Sequence, residues 1–476
     1  MAFLQAAANK GSLPTGYDIE HSLKLEQGSN EWLYRASPTA GNRKKHTFSF
    51  WIKRTTLGNP TASGTMYVMG QGQHGRMHFS SDFLQYRFDD GHDVRDVTTK
   101  HRDASAWLHV VVAVDTNQSS STNRVKIFYN GVQTTTLDYD GGSQPDQEDS
   151  ASGWFTGNYL TIGTAPFGGS YNAGDGDYDM SGLLSEVVAI DGLQLAPTSF
   201  GEYDAASGIW KPKDVSDLTF GDEGFYLNFS NASNLGEDFS GNDNDFASSN
   251  VAAADQATDT PTNNFCTMTP LFVYENKQGI TQGGTKTLNG GQSAWQGAKA
   301  GMGVTKGKWY WEYKTLGGNH TDIIVGIQTD EGVALTGNAH NIISTAAWYI
   351  GGEFWVKDVT NGRNSVDVTI NSTASGSHTY GFALDMDSST QRISVYQNNS
   401  VINAGDDINI DGLGDKTVFP FAACYLNNGI TYNFGGYTVN SISSAASDAN
   451  GYGTFEYAPP SGYYAICSKN LAQYGG

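Results

Sequence analysis

The amino-acid sequence predicts an almost all-β protein, two antiparallel β-sandwiches in tandem joined by a loop-rich connector. Composition points there first: 58 Gly accompany 23 Phe, 25 Tyr and 10 Trp, while charged residues make up only 16%. Glycine supplies turns, and aromatic and β-branched side chains suit half-buried pleated surfaces. Second, no stretch carries a sustained apolar stripe with the 3.6-residue period of a helix. Third, one phrase is written twice, as His109–Val132 (HVVVAVDTNQSSSTNRVKIFYNGV) and Tyr380–Val401 (YGFALDMDSSTQRISVYQNNSV). In each copy an apolar run ends at an Asp (Asp115, Asp385) and a polar turn leads to an Arg (Arg124, Arg392). An alternating strand follows, closed by Asn130-Gly131 or Asn398-Asn399. Period-two alternation bounded by residues that tolerate positive φ is the signature of a β-hairpin.

Read in order, residues 1–16 form a polar arm punctuated by Gly and Pro. Residues 17–213 form the first sandwich. Its expected strands are Ser22–Leu25, Thr47–Lys53, Met66–Met69, Met77–Phe79, Leu84–Phe88, Trp107–Val114, Tyr159–Gly163 and Leu183–Ile190. Trp107–Val114 is continuously apolar, as befits a central strand covered on both faces. Asp138–Gly153 reads as an acidic loop, and the domain is expected to close near Ile209–Pro212. Residues 214–264, rich in Asp, Asn, Ser and Ala apart from Phe225–Phe229, read as the connector. Residues 265–436 form the second sandwich, with strands at Lys308–Lys314, Ile323–Ile327, Trp348–Ile350, Phe354–Val356, Tyr380–Leu384, Arg392–Gln397, Val418–Tyr425 and Thr431–Phe434. Residues 437–476 are a tail held extended by Pro459-Pro460 and packed on the second domain.

Twenty-eight Lys and Arg against 49 Asp and Glu give a net charge of −21. Nucleic-acid binding calls for basic stripes that displace counterions. The one basic cluster, Arg43-Lys44-Lys45, sits at a strand start and reads as a solvated edge, so no nucleic-acid partner is expected. No apolar run approaches the ~20 residues a membrane helix needs, and the first residues lack the basic and apolar regions of a signal peptide. Membrane insertion is not expected, and synthesis in a reducing cytosol is. Cys266, Cys424 and Cys467 have no metal spacing and read as buried thiols.

The strand phrases carry a resemblance. FSFWIKR (Phe48–Arg54), WLHVVVAVD (Trp107–Asp115), RVKIFYNGV (Arg124–Val132), YLTIG (Tyr159–Gly163) and GLLSEVVAIDGLQLAPTSF (Gly182–Phe200) resemble, in order, a laminin-G-like jelly roll of the concanavalin type. GKWYWE (Gly307–Glu312), VGI (Val325–Ile327), YGFALD (Tyr380–Asp385), ISVYQNN (Ile393–Asn399), FPFAACY (Phe419–Tyr425) and ITYNFG (Ile430–Gly435) resemble a SPRY domain. The combination, with DFSGNDNDF (Asp238–Phe246) and FEYAPPSGYYAICSKNLA (Phe455–Ala472), is similar to tailed-phage virion proteins of the fibre and decoration type. That resemblance implies a virion location, other virion proteins as partners, host-surface glycan or protein as ligand, and a homo-oligomer, most simply a trimer. Neither a long shaft repeat nor a coiled coil is visible, so any fibre role is that of a short spike or a tip, with a head decoration or head fibre as the alternative.

Residue patterns that carry catalysis are mostly absent from the sequence. Retaining glycoside hydrolysis needs two carboxylates about 5 Å apart, which alternating acids on one strand would supply. The strand acids Glu186 and Glu312 are isolated in sequence, and Asp175, Asp177 and Asp179 sit in a glycine-rich loop, so the protein is expected not to be an enzyme. The alternative from another class is a polysaccharide-degrading enzyme or its sugar-binding module; a bacterial surface adhesin is a third. Alternate acids beside Gly174 and Gly176 make Asp175, Asp177 and Asp179 a candidate calcium site. Aromatics on or beside expected loops are the candidate ligand contacts: Trp295 and the pair Trp348 and Trp355 flanking Gly351-Gly352 in the second domain, Trp154 and Tyr171 in the first. Trp51, Trp107, Trp309 and Trp311 are assigned to packing.

Overall fold

The structure is a computed structural model that describes residues 16–36, 38–57, 65–140, 143–166, 179–273, 279–288, 295–316, 323–330, 345–350, 353–358, 362–369, 376–402, 408–413, 416–425 and 429–475. It divides into two compact units, one of them residues 14–262 and the other residues 263–476 with the first thirteen. Each is an antiparallel β-sandwich.

In the first unit one sheet runs Val132–Gln133, Val125–Tyr129, Leu108–Asp115, Lys45–Arg54, Gly182–Asp191, Ser22–Leu25 and Gln256–Ala257, with Phe225–Leu227 also on Gly182–Asp191. The opposing sheet runs Leu137–Asp140, Asp93–Asp96, Phe83–Arg87, Gly75–Ser80, Thr65–Gln71, Leu160–Ile162, Trp32–Arg35 and Ala247–Ser249. Alternation decides what each face buries. Val110, Val112 and Val114 point into the core between the sheets, while Val111 packs outside under Phe200, Phe220 and Tyr226. Leu108–Asp115 is thus covered on both faces, which is why its sequence is an unbroken apolar run.

Two expectations are corrected here. Residues 214–262 are no connector but part of this sandwich: Phe225, Leu227, Phe229, Leu235 and Phe246 sit in its core, and the segment adds three strands to the two sheets. Buried charge fastens it further. Lys53 and Asp259, 0% and 1% exposed at their side chains, pair at 2.6 Å, and Lys24 meets both Glu31 and Asp255 at 2.9 and 2.8 Å. The domain therefore does not close at Pro212, where a short hairpin (Gly201–Tyr203 with Trp210–Pro212) turns the chain back. The acidic stretch from Asp138 also begins as strand, because Leu137–Asp140 pairs with Asp93–Asp96. Acids on both hide the alternation, as charge on an edge strand commonly does.

In the second unit one sheet runs Met268–Val273, Gln296–Ala300, Val418–Cys424, Ile323–Thr329, Thr345–Tyr349, Glu353–Asp358 and Gly362–Thr369. The other runs Ile280–Thr281, Lys286–Leu288, Gly429–Asn433, Lys308–Thr315, Thr379–Asp385, Arg392–Gln397 and Ser400–Val401. Trp309, Trp311, Tyr313, Phe382 and Tyr432 fill the space between them. Cys266, Cys424 and Cys467 are buried free thiols.

The repeated phrase folds twice into the same object. Asn130 (φ 46°) with Gly131 (φ 82°), and Asn398 (φ 48°) with Asn399 (φ 67°), make the tight turns. Each first Asn also accepts a backbone N–H from the preceding strand, His109 at 2.9 Å and Thr379 at 3.2 Å. Asp115 and Asp385 each accept turn N–H groups and a lysine from the neighbouring strand, Lys45 at 3.2 Å and Lys308 at 2.9 Å.

The tail is built into the second unit more deeply than an extended strap. Phe455, Ala465, Ile466 and Cys467 are fully buried, Tyr464–Ala465 pairs in parallel with Trp309–Tyr310, and the chain ends in a seven-residue helix, Ser468–Tyr474. Its anchor is Glu312, 2% exposed. Its Oε1 accepts from the Tyr457 N–H (2.9 Å) and the Tyr310 hydroxyl (3.2 Å), and its Oε2 from the Glu456 N–H and Asn433 Nδ2 (3.0 Å each). Burial raises the Glu312 pKa, and the backbone donors of Glu456 and Tyr457 oppose that rise. Truncating this residue strands several buried donors, at about 1–3 kcal/mol for each group left unsatisfied. Glu312→Ala should lower the denaturant midpoint and open residues 440–463 to limited proteolysis, with Glu312→Gln, which keeps an acceptor, affected less.

Candidate binding surface

Among the singled-out tryptophans whose side chains are described, Trp295 is the one left partly exposed at a surface with aromatic company. It stands immediately before the strand Gln296–Ala300, and Tyr425 immediately follows Val418–Cys424. Because Gln296 lies opposite Cys424, the two rings come next in register at one end of the sheet. Tyr349 ends Thr345–Tyr349, its backbone opposite Ile324. Trp295 and Tyr425 have centroids 5.6 Å apart with an interplanar angle of 35°, and Trp295 and Tyr349 lie 6.5 Å apart at 57°. All three are partly exposed, and Trp295 and Tyr349 pack over a floor of Ile324, Ala347, Phe421 and Ala423, which are fully buried. Trp348, Val325 and Ala422, one residue along, point the other way into the sandwich core. The trio is therefore an aromatic patch on the outer face of the sheet. Such rings offer flat apolar faces with little conformational entropy to lose, the chemistry that anchors sugar rings and protein partners.

The other candidates scatter. Trp154 and Trp348 are both fully buried, which corrects their assignment as ligand contacts. Trp154 lies 4.7 Å from Phe48 and stacks on Tyr86 at 5.9 Å, its Nε1 donating to the Arg87 carbonyl. Trp348 faces Tyr380 edge-on at 5.1 Å in the second core. Glycine-rich flanks made both look like loop residues, yet each is the large apolar plug its sandwich needs. Trp355 is in the strand Glu353–Asp358 opposite Ala347 and Ser365, but its side chain lies outside the described residues. Tyr171, Asp175 and Asp177 lie outside them as well. Asp179 is 3% exposed, burial pushes its carboxyl up to about 6 against a hydrogen bond from Thr164, and Oδ2 has no partner among the described residues.

Tyr349 and Tyr425 were missed. The cue was present: Ala346-Ala347 and Ala422-Ala423 leave room on a strand face for a neighbouring ring, but seeing which face requires the register.

Acid and nucleophile constellations resolve into structural roles. Glu186 has a left-handed backbone (φ 49°) at the bulge where Gly182–Asp191 exchanges Ser22–Leu25 for Phe225–Leu227 as neighbour. Its Oε2 accepts from the Tyr226 hydroxyl at 2.7 Å and the Tyr17 hydroxyl at 3.2 Å; it is 5% exposed, and burial pushes it up to about 7. Ser49 Oγ lies 2.9 Å from His109 Nε2, which resembles a nucleophile and its base. The indole Nε1 of Trp210, a donor only, points at His109 Nδ1 at 2.9 Å, so the imidazole proton must sit on Nε2 and face the serine. His109 cannot then take the Ser49 proton. Burial pushes its pKa down to about 3.

Residues 28–192 match the family model of the concanavalin A-like lectin/glucanases superfamily. The match covers much of the first, concanavalin-like unit and about a third of the chain. Among solved structures, the SPRY domain of human HERC1 is similar over 31% of this chain and 87% of that chain, at 15% identity and a TM-score of 0.24. A putative carbohydrate binding protein from Bacteroides ovatus is similar over 49% and 58%, at 16% identity and 0.33. Domains LG4-5 of the mouse laminin alpha1 chain are similar over 92% and 88%, at 12% identity and 0.29. At these scores the likenesses carry no functional weight. No curated protein sequence matches the chain.

The buried Glu186 has a pH signature. Its pKa rises from 4.5 to about 7 on folding, so the folded state holds the proton more tightly. Stability from this group is therefore highest below pH 4.5 and falls as pH rises through 7, by on the order of 3 kcal/mol. Glu186→Gln should flatten the fall in unfolding midpoint between pH 5 and 8; an unchanged slope would show that Glu186 is not held as described.

Proposed function

We propose that this protein is a non-catalytic binding protein displayed on the surface of a tailed-phage particle, a short fibre, spike or head decoration, and that it engages glycan or protein on the host surface. The observation that carries the binding reading is the Trp295–Tyr349–Tyr425 patch, three partly exposed rings at one end of a sheet. The concanavalin-type match of residues 28–192 supports a carbohydrate-recognition role for the other unit. The virion reading rests on the sequence resemblance, Asp238–Phe246 and Phe455–Ala472 above all. Assembly as a trimer and docking through other virion proteins belong to that same reading.

The non-catalytic part is supported by what occupies the candidate acids and bases. Glu186 is closed off by two tyrosines, Glu312 by tail backbone, and His109 by an indole. A pKa near 7 would suit a general acid, and this alone favours an enzyme. A substrate has no approach to a side chain 5% exposed.

A glycan array probed with the purified full-length protein tests the reading. Binding should fall at least about tenfold in the double variant Trp295→Ala, Tyr425→Ala, with far-ultraviolet dichroism unchanged; stacking contacts are worth about 0.5–1.5 kcal/mol each beyond area. Release of sugar from a host polysaccharide by the wild type, lost in Glu186→Gln, would overturn the non-catalytic reading. Immunogold labelling of intact particles tests the location, and its absence there would end the virion assignment.

A further inference from the structure

We propose that Asp89, His92 and Asp149 of the concanavalin-like unit form a binding site for a divalent transition-metal ion such as Zn²⁺ or Mn²⁺. Among the described residues they are a trio of metal-ligating side chains whose donor atoms all lie within 4.8 Å of one another. Ligand distances of about 2.0–2.2 Å to such an ion place neighbouring donors some 3–4 Å apart, so only a small contraction separates the trio from coordination. An imidazole among the donors distinguishes this from an acidic surface patch: nitrogen with carboxylate oxygen suits zinc or manganese better than calcium.

The donors come from two segments tied to each other. Asp89 and His92 belong to the turn between Phe83–Arg87 and Asp93–Asp96, closed by the Phe88 N–H donating to the His92 carbonyl at 2.9 Å. Asp149 precedes a segment docked on that turn: the Gly153 N–H donates to the Phe88 carbonyl at 2.6 Å and Trp154 Nε1 to the Arg87 carbonyl at 2.9 Å. Thr116 Oγ1 holds the Asp149 carbonyl at 2.7 Å. One oxygen of each carboxylate is aimed by a backbone N–H, Asp89 Oδ1 by Gly91 at 2.6 Å and Asp149 Oδ1 by Ala151 at 2.7 Å. Such supporting bonds orient ligands and sharpen metal affinity.

His92 Nδ1 sits 2.9 and 3.0 Å from the two oxygens of Asp89. A bound ion would replace this contact, coordinated by the imidazole nitrogen and a carboxylate oxygen. The adjacent acids Asp90 and Asp93 are engaged by Arg87 at 2.8 and 3.4 Å, Asp90 also by His74 at 2.7 Å, and Glu148 by Lys44 at 2.8 Å. The side chains of Asp89 and His92 keep 13% and 20% of their exposure, so water reaches the remaining coordination positions.

The test is calorimetry and thermal unfolding of the full-length protein, stripped with chelator and titrated with Zn²⁺, Mn²⁺ or Ca²⁺. One saturable Zn²⁺ or Mn²⁺ site per chain is expected, raising the unfolding midpoint by a few degrees at a hundredfold excess over Kd. His92→Ala and Asp149→Asn should each weaken it at least tenfold, whereas Asp175→Asn with Asp177→Asn should leave it unchanged. Asp149→Asn conserves shape and keeps the test meaningful if the alanine variant folds poorly. No saturable binding, binding indifferent to both variants, or a response to Ca²⁺ alone would overturn the proposal.

Discussion

Every connection in a β-sandwich carries backbone N–H groups out of the sheets, and those that end up buried must find an acceptor. In this protein short acidic side chains supply it. Asp238 takes the N–H groups of Tyr226, Ser240 and Asn244; Asp448 takes those of Asn450, Tyr452 and Ala465; Glu312 takes those of Glu456 and Tyr457. Asp96 does the same for Thr98 and Thr99 and adds three threonine hydroxyls. Part of the excess of acid in the composition is therefore architectural. Carboxylates bound to two or more N–H groups hold loops in one shape, and the segments between strands become part of the packed body.

That use of acid also explains which features could be read from the sequence. The doubled hairpin was legible because it is local: its Asp, Lys-facing register and positive-φ Asn recur as the same hydrogen bonds in both units. The core strands were legible from alternation, usually to within two residues. Residues 214–262 were not, since their Asp, Asn and Ser read as solvated linker until their partners are known. Asp238 is a clamp only when Tyr226 and Asn244 surround it, and Asp255 and Asp259 are buried only because Lys24 and Lys53 wait on strands laid down much earlier.

The site was half legible for a related reason. Composition flags tryptophan beside glycine, but burial depends on strand parity, and one residue decides it. Ala347 faces the patch and Trp348 the core. Trp295 stands outside because its neighbours in register, Tyr425 and the small floor of Ala347 and Ala423, leave it a flat seat without a cavity to fill. Tyr349 and Tyr425 were marked only by the small residues on the strands before them, a mark that acquires meaning once the register is known. The same holds for Asp89, His92 and Asp149, brought together by two segments whose docking no spacing rule reveals.

The pairing of Ser22–Leu25 with Gln256–Ala257, sealed by the Ser22 hydroxyl on the Asp259 carbonyl across 237 residues, has a consequence for biosynthesis. At the usual 5–20 residues per second of translation, the N-terminal strand waits on the order of ten to fifty seconds before its last neighbour leaves the ribosome. During that interval it presents an open, hydrogen-bond-hungry edge, the kind that recruits strands from other nascent chains. High contact order of this sort slows maturation, so crowded polysomes and elevated temperature should penalise yield of this protein well before they touch the stability of the finished molecule.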